Sequence, residues 1–364
     1  MSLGQRISPL QLFVICFVTA FGVSMTTLPR SVAEAAQEDM WLSVMLGGVL
    51  FLLTVWTAAK LAAYFPQATC FEYHRILLGP FLGQLFNLIL VVLLAMIPIV
   101  SIRTFGSAAQ MYLFHITPPP VITFSILLLL LYAAQYGLFP VIRLQQVIFV
   151  SSHIVFFLII LLGFLAVHSR HYQPFLAEGL GPVFKGAIPS WYAYTGPEFV
   201  IGLLYPFITR QKEVFKWSAA AVAALIFVYT LITVIVQGIL GVKETAYMLS
   251  PTIIAYRSVE IPDTFIERID GYFLIFWIPV FVACMLNWVY FTAFGIRRML
   301  NLEDSRPVVV LLVPLLLYFV DLPPNYQTAA KVSEWVNRAL LVWGLGVLPF
   351  LLGLAWWRQR RKTC

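Results

Sequence analysis

Residues 20–30 read AFGVSMTTLPR and form the tail of the first long apolar run in a 364-residue chain. A membrane-crossing helix must satisfy its backbone internally, because lipid offers no partners. This stretch is poorly made for that. Gly22 frees the backbone from the helical well, and Pro29 removes a donor. Ser24, Thr26 and Thr27 bring hydroxyls that can take over peptide groups left unpaired. The pattern predicts a helix that stops inside the bilayer and restarts near Met25.

The rest of the chain supports a membrane setting. It is 61% hydrophobic and 11% charged, with a mean hydropathy of +0.90, whereas soluble domains carry roughly 25% charged residues. Ten apolar runs stand out: 9–29, 41–64, 81–113, 119–138, 141–167, 190–208, 215–241, 268–296, 307–322 and 333–357. A helix crosses the hydrocarbon core in about 20 residues, so these read as ten spans. Arg6 before the first run and Ala-Glu-Ala at 33–35 mimic a cleaved signal, but Pro29 and Arg30 separate run from site.

Charge sets the orientation. With a cytoplasmic N-terminus, the inner segments hold fourteen Lys and Arg against four Asp and Glu, and the outer segments hold eight against eleven. That bias is the positive-inside pattern, with both termini cytoplasmic, the chain embedded in the lipid bilayer, and the basic tail 358–364 at the inner leaflet. The net charge of +7 therefore reflects topology, and no nucleic-acid partner is indicated. Four cysteines and five histidines lack ligand spacing, so no metal or cofactor is expected. His168, His171 and Glu178 in an outer loop have no nucleophile beside them, and the chain is not read as an enzyme.

Ten spans divide into two sets of five, 1–167 and 190–357, joined by an outer loop at 168–189. An odd-numbered unit places its second copy upside down. Transporters of that design bind solutes near the midplane, on discontinuous helices at matching positions. The sixth run fits, since AYTGPEFVIGLLYP at residues 193–206 is broken at Gly196 and Pro197. The fold class is thus an all-α polytopic protein with a 5+5 inverted repeat, LeuT-like, with helices 1 and 6 discontinuous.

Two facing breaks make a ligand site. Around Gly22, Val23 and Ser24, the restarted helix aims the N–H groups of Met25, Thr26 and Thr27 at a carboxylate. The outer half of span 6, ending at Tyr194 and Thr195, offers carbonyls to an ammonium. Cys284, Asn287 and Trp288 share one face of span 8, and a zwitterion of amino-acid size is expected between these walls. Ala283 and Cys284 supply no hydroxyl oxygens, which disfavours sodium coupling. Two charges lie within spans, Arg103 and Glu198, at depths that let them form an ion pair. His153 reads as a packing residue, with a proton site as the alternative. The outer loop 243–266 is long enough to lie over the mouth as a lid.

Several short stretches resemble the spore-germination permeases, the integral-membrane B subunits of germinant receptors within the amino acid/polyamine/organocation transporter superfamily. They are TLPR (27–30), FEY (71–73), Arg103, EGLGP (178–182), Gly196 and Glu198 around Pro197, PTI (251–253) and FIER (265–268). The resemblance implies a sensor of a small germinant, commonly an amino acid. Such a subunit would act with an A-type subunit and a lipoprotein C-type subunit in the spore inner membrane. It also places a site between spans 1, 3, 6 and 8, which maps to Gly22, Ile97, the region of Glu198, Cys284 and Trp288. A proton-coupled amino-acid transporter of the same superfamily is the alternative. Here GVS replaces the superfamily's Gly-x-Gly, Leu93 and Ile97 leave that face of span 3 without a tyrosine, and Cys284 and Trp288 change span 8. Ligand identity therefore does not carry over.

Overall fold

A computed structural model describes residues 6–22, 24–259 and 269–363, and these are almost entirely helical. The helices are α1 (Pro9–Ala20), α2 (Ser24–Ala36), α3 (Met40–Ala63), α4 (Cys70–Leu78), α5 (Pro80–Tyr112), α6 (Pro119–Ala134) and α7 (Leu138–Phe164). There follow α8 (Gly181–Ala193), α9 (Pro197–Leu204), α10 (Val214–Tyr247), α11 (Pro251–Arg257), α12 (Ile269–Leu300), α13 (Arg306–Asp321), α14 (Tyr326–Val342) and α15 (Leu348–Thr363). A single π-helical turn, Trp343–Val347, joins the last two.

Local chemistry explains the starts. The Ser8 side chain accepts from the Gln11 N–H while the Gln11 side chain accepts from the Ser8 N–H, a reciprocal cap with Pro9 at the first helical position. Thr69 and Glu72 cap α4 the same way. Proline opens α5, α6, α9 and α11 at the first or second position.

Helices fall on all ten apolar runs. Spans 1 and 6 are the pairs α1–α2 and α8–α9, and the tenth is α14–α15 across the π turn. Six stretches among the described residues are long and apolar enough to cross a membrane by length and composition, while α1 and α6 are shorter apolar helices. Span 6 begins at Gly181, nine residues before the predicted 190. Pro182 sits at its start and Pro189 within it, two residues that read as breakers in sequence. Leu53, Leu161 and Leu311 stand exposed on outward faces, as a lipid solvent requires.

The interrupted helices lie at the centre. α3 and α10 flank α2, α8 and α9, and α12 packs on α1 and α5. On the N-terminal face the chain before α1 pairs with the chain after α9: the Ile7 N–H donates to Phe207 O at 2.8 Å, and the Thr209 N–H donates to Ile7 O at 3.0 Å. These bonds tie the two broken spans together at one end.

The short helix α4 is pinned under the bundle by His74. Its Nδ1 lies 2.8 Å from Asn87 Oδ1, and Asn87 Nδ2 donates to Phe71 O at 2.9 Å. Burial pushes the His74 imidazole down to about 4, because charge is disfavoured away from water. With the folded value below the unfolded one, near 6.5, this contribution is present above pH 6.5 and is lost as pH falls toward 4. At most about 3 kcal/mol is at stake, from 1.36 kcal/mol per unit. Thermal midpoints of the detergent-purified chain should fall from pH 6.5 to 4, and His74→Gln should flatten that slope; an unchanged slope would remove His74 as its source.

Candidate functional site

A helix that ends in the membrane leaves carbonyls without partners. At the end of α1 three of them are taken by side chains from other helices. Cys284 Sγ donates to Thr19 O at 3.1 Å, Tyr229 O–H to Ala20 O at 2.9 Å, and Trp277 Nε1 to Gly22 O at 3.3 Å. At the end of α8 the Tyr194 and Thr195 N–H groups turn back to Trp191 O and Tyr192 O. Tyr229 O–H also lies 3.2 Å from Ala193 O. One hydroxyl therefore bridges both breaks.

The breaks touch directly. Gly196 has φ +148°, a region open to glycine. A Cβ there would meet Thr19 Cγ2 at 3.0 Å and the Ala20 N at 3.2 Å. Gly22 faces α12 so closely that an added Cβ would lie 2.6 Å from Cys284 Sγ. Beneath the joint, Asn287 Nδ2 donates to Thr19 Oγ1 at 2.7 Å, and Gln145 hydrogen-bonds the Asn287 side-chain oxygen. Trp288 and Phe199 meet edge to face at 5.7 Å. The N-terminal side of the joint is thus packed shut.

Above it lies a cavity of about 150 Å³, a size that admits a benzene-scale molecule. Gly22, Ser24, Ile97, Thr195, Cys284 and Trp288 line it, as expected. Thr27, expected at the restarted helix, lines it too, and so do residues that the sequence reading missed: Ser31 on α2, Ser101 and Thr104 on α5, Tyr192 on α8, and Ser333, Val336, Asn337 and Leu340 on α14. The α14 set was legible as one helix face, since 333, 336, 337 and 340 follow a helical spacing. Among the described residues the lining contains no Asp, Glu, Lys, Arg or His. Thr195 Oγ1 is buried there without a hydrogen-bond partner.

Other expected site residues point elsewhere. Met25 is buried and its carbonyl accepts from Thr252 Oγ1 at 2.9 Å, which places the PTI stretch of α11 against α2. Thr26 faces a small neighbouring void with Trp277 and Tyr326. Tyr194 O–H donates to Val44 O at 2.9 Å, on α3. Asn287 is absorbed in the network under the joint. Val23, the FIER stretch and residues 260–266 of the expected lid lie outside the described residues. His153 packs among Phe17, Phe21 and Phe149, with Nδ1 2.7 Å from Phe149 O.

The expected Arg103–Glu198 pair is not formed. Glu198 Oε2 accepts the Gly196 N–H at 2.9 Å, because a carboxylate in the first turn of α9 caps its own helix start and meets the positive end of the dipole. Arg103 turns off the cavity face of α5 toward α13, where Nη1 lies 3.8 Å from Asp321 Oδ1. Thr123 Oγ1 donates to the same oxygen at 3.4 Å. Asp321 stands at the end of span 9 and was counted in the sequence as a loop charge.

This architecture matches that of known proteins. A family profile described as spore germination protein covers residues 6–329. The chain belongs to that family. Spore germination protein YndE of Bacillus subtilis (strain 168) is 28% identical over 96% of this chain and 95% of its own length. Spore germination protein B2 of the same organism is 25% identical over 98% and 97%. Among solved structures, Mhp1, a nucleobase-cation-symport-1 family transporter, superposes with a TM-score of 0.63 at 12% identity, over 96% of this chain and 78% of that one. A Na⁺-coupled sialic acid symporter gives 0.63 at 14%, over 97% and 79%. The fold is therefore that of the LeuT-type transporters, and the chain is a multi-pass membrane protein with a germinant-receptor or transporter-like role.

A double-mutant cycle separates the two charge assignments. Arg103→Gln and Asp321→Asn should each lower the thermal midpoint and should couple by about 1 kcal/mol, since Asp321 is partly exposed. Arg103→Gln with Glu198→Gln should be additive. Coupling in the second cycle and not the first would reverse the assignment.

Proposed function

We propose that the chain is the B-type membrane subunit of a spore germinant receptor, and that its germinant binds in the cavity where the two broken helices meet. The observation that carries this reading is the unpartnered, buried Thr195 hydroxyl at that cavity, beside the start of α2. A buried polar group without a partner costs free energy that a ligand can recover.

The lining suits a small solute of no net charge. A zwitterionic amino acid fits: its carboxylate faces the positive end of α2, near Ser24 and Thr27, and its ammonium faces carbonyls around Thr195. Gly22, Ser24, Ile97, Cys284 and Trp288 line this space together. The two halves, 1–167 and 190–357, act as the inverted repeats between which the site lies, with 168–189 as their outer connection. Entry is from the face away from the N-terminus, since the opposite side is closed by the Ile7–Phe207 and Thr209–Ile7 bonds.

Binding then biases two arrangements of the broken helices, in proportion to the ligand's differential affinity for them. A-type and lipoprotein C-type subunits in the spore inner membrane read that bias. The transporter-fold neighbours favour a second reading, a proton-coupled amino-acid transporter with the same site.

Spores carrying variants of this chain decide the matter when exposed to a panel of L-amino acids. Gly22→Leu should abolish the response at normal membrane levels, and Thr195→Val should raise the required germinant concentration about tenfold, the worth of one hydrogen bond. Asn337→Ala should shift the order of preference among amino acids. Responses equal to the parent in all three would place the site elsewhere. Concentrative uptake by the purified chain in vesicles, with no effect of its loss on germination, would establish the transporter.

A further inference from the structure

The face that carries the positive excess holds a second concavity, of about 460 Å³. Its walls are the start of α7, the last turns of α12 and the turn into α13, with Phe207 completing it. Three arginines line it, Arg143, Arg297 and Arg306, against one carboxylate, Asp304.

That carboxylate is already engaged. Asp304 Oδ1 accepts the Arg306 N–H at 3.1 Å, and Oδ2 lies 3.7 Å from Arg306 Nε. Arg297 donates through Nε to Leu302 O at 3.1 Å, which leaves the outer edge of its guanidinium for another acceptor. Arg143 is exposed and has no acidic partner among the described residues. Two positive charges are therefore in excess.

Backbone electrostatics add to them. The 27-residue α7 and the 16-residue α13 both begin at this concavity, and neither has an acidic residue in its first turn. The positive end of the α7 dipole thus faces the same space as the guanidinium groups, while that of α13 is met by Asp304 through the Arg306 N–H. Planar forks that donate paired hydrogen bonds match phosphate oxygens better than a point charge does.

We propose that this pocket binds a phosphate group. Its chemistry is common to a soluble phosphate and to the headgroup of an anionic phospholipid, and its position beside Phe207 sets the bound anion next to the Ile7 pairing that closes this face. The pocket is separate from the central cavity, so the proposal stands or falls independently of the germinant.

The full chain, purified in neutral detergent, tests it in two arms read by thermal midpoint. One arm titrates inorganic phosphate against chloride at constant ionic strength. The other titrates phosphatidylglycerol against phosphatidylcholine in mixed micelles. A saturable rise in midpoint is expected, in the phosphate arm for a soluble ligand or in the phosphatidylglycerol arm alone for a headgroup. Arg143→Gln changes an exposed side chain and should weaken that response about tenfold, and adding Arg306→Gln should remove it. Lys212→Gln, an equal loss of charge on the same face, should leave it intact. No saturable rise in either arm, or equal responses in the Arg143 and Lys212 variants, would overturn the proposal.

Discussion

The Tyr229 hydroxyl lies 2.9 Å from Ala20 O and 3.2 Å from Ala193 O, the last carbonyls of two helices that stop inside the membrane. In lipid, neither carbonyl could find water, and an unmet buried acceptor costs roughly 1–3 kcal/mol. A single side chain from α10 serves both, its one proton shared between them in a three-centre bond. Because it does so from one point, the two ends must lie side by side, and the rest of the centre follows. Gly196 can approach Thr19 and Ala20 only without a Cβ, and Gly22 can approach Cys284 only on the same terms. The broken ends are therefore fixed elements with defined partners, and the cavity above them has a definite shape.

That arrangement leaves the two faces of the protein unequal. Below the joint, Thr19, Asn287 and Gln145 form a continuous hydrogen-bonded row, Trp288 rests on Phe199, and the Ile7 pairing closes the exit. Above it, the walls are hydroxyls and an amide from α2, α5, α8 and α14, all partly exposed. The joint is thus packed on one side and meets the cavity on the other. The last span is the wall least embedded in the centre, and the π turn at Trp343–Val347 divides its cavity-lining half from its basic half. Gly344 within that turn faces Trp191 of α8, where an added Cβ would lie 2.6 Å from the indole. The half of span 6 that lines the cavity and the turn in span 10 are in direct contact, so a shift in one is felt by the other.

Much of this was legible in the sequence because membrane physics is strict. Gly22 with its hydroxyl neighbours and Gly196 with Pro197 announced both breaks, and α2 starts at Ser24, one residue from the predicted Met25. The runs of apolar residues located the spans, since lipid permits few alternatives. What the sequence hid depends on helix rotation and on contacts far along the chain. Arg103 and Glu198 matched in depth but not in direction: one turns to Asp321, and the other caps its own helix. Tyr229 and Trp277 sit in plain apolar stretches and Gln145 in the mixed stretch IRLQQVIF, and nothing local marks them as partners for freed backbone or for Asn287. Ser333 and Asn337 carry an ordinary amphipathic pattern, which becomes a cavity wall only once α14 is seen to pack beside α5.

The central claim is that the space above the joined breaks is where a germinant binds. Ser333→Cys places a reactive thiol on the partly exposed wall of that space, in a chain whose Cys16, Cys70 and Cys364 are replaced by serine or alanine, with the same chain lacking Ser333→Cys as the blank for the buried Cys284. The direct measurement is the rate at which a small maleimide labels that thiol in membranes, with and without an amino acid that triggers the spores. The account predicts slower labelling at germinant concentrations that saturate the response, and no slowing when Gly22→Leu is added. Labelling at one rate under all of these conditions would contradict it.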